Sequence, residues 1–131
     1  MALPQSDIDY LNKKGHRYSV SEEGGMTCVV LQGYNLPVGF NLESTDLLVR
    51  LTPGYPDIAP DMWWFEPAVH RADGKPIAAT DHAEVHQGRN WQRWSRHLEP
   101  GQWTPGNDTL EAYMAIMHVN LEQASVKEGL N

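Results

Sequence analysis

Apolar residues fall in a helical rhythm near the two ends of the chain and in short extended runs between them. Near the start, Ser6 stands ahead of Asp7 and Asp9, Ile8 and Leu11 lie three apart, and Gly15 follows. This spacing predicts a short first helix over 6–14, with Ser6 as N-cap and Gly15 as stop. Three strands are predicted next: 17–21, then the strongly apolar 26–32 with Val29, Val30 and Leu31, then 46–51. Gly24-Gly25 reads as the turn joining the first two, and 35–39 with Pro37 as a loop. Met62–Phe65 gives a short, very apolar fourth strand. Near the end, Leu110, Tyr113, Met114, Met117 and Leu121 line one helical face. Asp108 with Glu111 three positions on reads as a capping box for that helix. The polar tail from about 125 is expected to fray.

Between 68 and 105 little periodicity is visible, and a stretch that long without elements reads as a functional loop or a missed helix. The order is then helix, four-stranded antiparallel meander, long loop, helix. That predicts a single α+β domain over 1–131, with its helices on one face of one sheet.

Composition narrows the functional classes. The 131 residues carry a formal charge of −7, which argues against nucleic acid and anionic membranes as partners, since phosphate binding needs positive fields. A single cysteine, Cys28, leaves no disulfide framework or thiolate cluster within the chain. It lies in the most apolar strand and reads as a packing residue. Neither a signal-peptide pattern nor an apolar run of membrane-spanning length is visible, so the expected location is the cytoplasm.

The segment 68–105 concentrates the candidate chemistry: His70, His82, His86 and His97, with Trp91, Trp94 and Trp103. His82 and His86 have the spacing of two metal ligands on a helix, but Ala83 breaks the H-E-x-x-H arrangement and no thiolate assists, so no metal is expected. Asp73-Gly74-Lys75-Pro76 is a turn, and no phosphate-binding glycine motif occurs, so no cofactor is expected. Trp63, Trp64 and Trp103 are expected in the sheet–helix core. Trp91 and Trp94 read equally as core or as a partner surface.

One constellation stands out: Tyr55-Pro56-x-x-x-Pro60, then Ser95, then Trp103-Thr104-Pro105 eight positions further on. With the first helix, the strands and the long final helix, it resembles the ubiquitin-conjugating (E2) superfamily, and more narrowly prokaryotic E2 family E, over nearly the full chain. The resemblance implies the UBC-like fold and an active-site loop in which the catalytic cysteine stands eight residues before W-x-P. Here that position is Ser95, and no His-Pro-Asn tripeptide precedes it.

What the resemblance implies is an E2-like carrier that accepts the C-terminus of a ubiquitin-like protein from an E1-like adenylating enzyme, here as an oxyester on Ser95. A serine hydroxyl needs a neighbouring base, and His97 or His86 could take its proton. Oxyanion donors would come from Asn90, Arg96 or Arg93. The alternative is a non-catalytic E2-fold module that docks a ubiquitin-like protein and an E1-like partner. A hydrolase built on a Ser95–His97 dyad is a third reading, weakened by the lack of a G-x-S-x-G elbow.

Overall fold

A computed structural model describes residues 3–125; the expected tail beyond them lies outside the described residues. The chain forms α1 (Gln5–Lys13), β1 (Arg17–Glu23), β2 (Met26–Asn35), β3 (Ser44–Leu51), β4 (Trp63–Glu66), β5 (His82–His86), β6 (Arg89–Trp94) and α2 (Leu110–Ala124). The six strands make one antiparallel sheet in the order β1-β2-β3-β4-β6-β5. The expected α+β class is observed, and the four expected strands are joined by two more. Among the described residues no helix is long and apolar enough to cross a membrane.

The added strands fill the stretch expected to be loop. Residues 82–86 and 89–94 form a hairpin closed by Gln87-Gly88, with φ of 56° and 74°. Positive φ at both central residues gives the twist that matches paired strands. Glycine accepts this freely, and glutamine does so at some cost. Residues 67–81 are then pinned to the hairpin by Gln92, whose amide bonds Val69 N–H (2.8 Å), Val69 C=O (3.0 Å) and Thr80 C=O (3.2 Å).

Strand alternation gives the sheet two apolar faces. On one, Val29, Leu31, Leu47, Val49, Trp63, Phe65 and Trp94 pack under both helices. The five α2 residues expected on one face are all buried there. On the other face Cys28, Val30, Leu48, Trp64 and Trp91 form a second buried cluster with no helix over it. Trp64 therefore packs opposite the helices, and Trp91 and Trp94, at 1% and 0% exposure, are core residues and not a surface.

The second cluster stays dry because the sheet curls. β1 and β5 are its two edges, about 24 Å apart if five inter-strand spacings lay flat. Yet Glu23 accepts the Gln87 backbone N–H (2.8 Å), the Gln87 amide bonds Ser21, and His86 approaches Glu23 at 3.4 Å. The hairpin tip thus reaches back across the open face and latches onto β1.

Both helix starts depart from the expected caps. Pro4, not Ser6, precedes α1, and no side chain caps it. Asp108 accepts the Thr104 N–H instead of capping α2. The first backbone N–H of α2, on Leu110, goes to Asp7 of α1 (3.2 Å). The stop at Gly15 is observed, with φ of 72° and the His16 N–H returning to Leu11 C=O.

Candidate functional site

Ser95 leaves β6 at the residue after Trp94 and is half-buried. Trp94 points into the helix-side core, so alternation turns Ser95 to the open face beside Arg93. Its backbone is fixed on both sides. Ser95 N–H donates to Ala79 C=O (3.0 Å), and the neighbouring Arg96 C=O accepts from Met62 N–H (3.1 Å). Ala79 and Met62 have φ of 59° and 64°. Left-handed backbone on non-glycine residues is unfavourable and persists where surrounding structure enforces it, often at functional positions. The only other described non-glycine residue with positive φ is Gln87, which its turn explains.

The Ser95 hydroxyl accepts a hydrogen bond from Arg93 Nε (2.9 Å). Arg93 also donates to Glu84 (2.9 Å), which takes the Trp64 indole N–H (2.8 Å) and lies 3.3 Å from His86. His86 faces Glu23, and Glu23 faces Arg50 at 3.9 Å. A string of polar and charged groups thus crosses the open face from Ser95 to Arg50, over the second apolar cluster. Burial pushes the Glu84 carboxyl up, but the donors Trp64, His86 and Arg93 outweigh it and hold it below the usual carboxylate range.

The expected bases are not brought to the serine. His97, exposed, bonds Asp61 through Nδ1 at 2.6 Å. His86 sits opposite Arg89 at the hairpin tip, about four residues or roughly 13 Å along the ladder from the Arg93 level. Among the described residues no imidazole bonds the Ser95 hydroxyl, although His86 connects to it through Glu84 and Arg93. His82 and His86 lie on a strand and not on a helix, which sets them about 13 Å apart.

The expected oxyanion donors also lie elsewhere. Asn90 pairs with Val85 near the tip and is exposed. Even spacing from Trp94 puts it on the helix side of the sheet, opposite to Ser95. Arg96 is committed to Asn120 (3.0 Å) and Ala78 C=O (2.8 Å) and lies over the Trp94 ring, where burial lowers its pKa. Arg93 is the guanidinium that touches the serine. Its i, i+2 relation to Ser95 on a strand is the signal that could have ranked it first.

The two proline motifs meet below this segment. Trp103 Nε1 donates to Pro56 C=O (2.9 Å), tying W-x-P to Y-P-x-x-x-P. The Tyr55 hydroxyl donates to Asp7 at 2.5 Å inside the core, and the Tyr113 hydroxyl to Met62 C=O at 2.8 Å. These bonds tie the Tyr55-Pro56 loop to α1 and to Trp103, and Met62 to α2.

A family model described as Prokaryotic E2 family E matches residues 3–124. No curated protein and no solved structure matches the chain. The match spans every described helix and strand, the joined proline motifs and the serine segment; the chain belongs to prokaryotic E2 family E.

Proposed function

We propose that this protein serves a ubiquitin-like conjugation pathway as a docking module, binding the ubiquitin-like protein and its E1-like enzyme without itself carrying the acyl group. One observation carries the reading. The Ser95 hydroxyl receives a hydrogen bond from Arg93, while both candidate imidazoles are engaged with carboxylates elsewhere, His97 with Asp61 and His86 with Glu84 and Glu23. A serine hydroxyl without a positioned base is a poor nucleophile near neutral pH. Family membership supports the pathway and the class of partner, and the Trp103–Pro56 bond joins the two proline motifs on which the resemblance rests.

A second reading has its own support. Arg93 Nε–H donates to Ser95 Oγ and would favour that oxygen as an alkoxide, and Ser95 is half-exposed, held by two left-handed backbone positions. Both features suit an acyl acceptor. In that reading Ser95 Oγ attacks the activated C-terminal carbonyl of the ubiquitin-like protein. The hydroxyl proton passes to water, and the E1-like partner's carrier group leaves.

The test is to mix the protein with a ubiquitin-like protein, its E1-like enzyme and ATP. Docking predicts a stable complex on size-exclusion chromatography, equally formed by Ser95→Ala, with no covalent adduct. An adduct that resists thiol reductants, is cleaved by hydroxide and disappears in Ser95→Ala would overturn the docking reading and establish the carrier.

A further inference from the structure

A groove of about 660 Å³ lies away from Ser95, where the end of α1, the start of β1, the distal part of β2 and α2 converge. Its shape follows from two local breaks. Gly15 ends α1 and turns the chain sharply into β1. Gly33, with φ of 64°, sits where the β2–β3 register shifts, and this break sets Tyr34 toward the helix side. Tyr10, His16 and Tyr34 then run along one wall with ring centroids 6.2 and 6.4 Å apart. Met114 of α2 adds apolar surface, and His118 meets the Tyr34 hydroxyl at 3.4 Å.

The groove carries more cationic than acidic side chains. Arg50, Arg71, Arg89 and Arg93 each have a carboxylate partner. Lys14 and Arg17, both exposed and both lining the groove, have none among the described residues. Glu111 is the single carboxylate in the lining. In a chain of formal charge −7, two unneutralised cations beside an aromatic wall form a local positive site in a negative field.

We propose that this groove receives an acidic peptide segment of a protein partner, its carboxylates meeting Lys14 and Arg17 and its apolar side chains lying on the Tyr10–His16–Tyr34 wall. The aromatic wall supplies the buried contact, and the cations select the sign of the ligand. The net charge of the chain repels acidic ligands in general, so affinity here has to arise locally.

The test uses a fluorescein-labelled octapeptide in which Asp and Glu alternate with Phe and Leu, titrated with the full chain at fixed ionic strength. Saturable anisotropy is expected, absent for the same peptide with lysine at the acidic positions. Charge reversal with Lys14→Glu and Arg17→Glu together should weaken binding about tenfold. The equal charge change of Lys13→Glu with Lys75→Glu, outside the groove, should leave it within about twofold. Thermal melts of both variants should match the parent. No saturable binding, equal weakening by both pairs, or displacement of the peptide by inorganic phosphate at constant ionic strength would each overturn the proposal. None of these residues touches Ser95, so this outcome is separate from the adduct experiment.

Discussion

Asp7 joins three parts of the chain with one carboxylate. It is fully buried on α1, takes the Tyr55 hydroxyl at 2.5 Å and caps the Leu110 N–H of α2 at 3.2 Å. Burial raises its pKa above 3.8, opposed by the hydrogen bonds from Tyr55 and Leu110. Asp7→Ala leaves a hydroxyl and a backbone N–H unpaired in the core, and should cost about 2–4 kcal/mol of stability in urea unfolding. The pH dependence has a definite sign. A carboxyl whose folded pKa is raised stabilises the fold while protonated, and this contribution is lost as pH rises through the folded value. The stability advantage of the parent over Asp7→Asn should therefore be larger at about pH 4 than at about pH 8. Sequence reading put Asp7 in a helix's first turn and could go no further, because its partners are 48 and 103 positions away. The same limit applies at Ser95. The W-x-P spacing singles out the residue, but which imidazoles reach it depends on strand pairing that no local pattern encodes.

At the scale of elements, periodicity was informative wherever one face met the core. All five apolar positions of α2 are buried as spaced, and the strongest predicted strand, 26–32, forms the first seven residues of β2. The β5–β6 hairpin escaped because its alternation is mostly polar. His82, Glu84 and His86 face the charged string while Ala83 and Val85 face outward, Val85 at 69% exposure. Its turn is Gln-Gly, which lacks the asparagine or aspartate that usually marks the type I′ geometry. That geometry makes the turn testable. Gly88 has φ of 74°, where a β-branched side chain is strained, and no atom lies within 4 Å of a Cβ placed there. Gly88→Val should destabilise the protein by about 1–2 kcal/mol through backbone strain alone. Gln87→Gly relieves strain but removes the amide bond to Ser21, so its effect should be smaller than that of Gly88→Val in the same urea titration.

Over the whole molecule, two hydrophobic clusters share one sheet, yet only one is covered by helices. Closure of the other depends on the hairpin tip holding β1, and Glu23 is the residue where these ties converge. It accepts the Gln87 N–H, faces His86 and pairs with Arg50. The hydrogen bond from Gln87 is the largest influence lowering the Glu23 pKa, with His86 and Arg50 adding to it. A lowered carboxylate contributes above its ordinary value of 4.5 and loses that contribution as pH falls, so acidification should loosen the tip. Glu23→Ala should do the same at neutral pH. Indole hydrogen exchange followed by NMR separates local opening from global unfolding, because each tryptophan reports its own surroundings. Trp64 and Trp91 indole N–H groups, bonded to Glu84 and to His86 C=O under the tip, should exchange faster in Glu23→Ala. The Trp94 N–H, bonded to Gln92 on the helix side, should keep its parent rate. Equal acceleration at all three would mean that the molecule opens as one unit and that the hairpin is no independent closure.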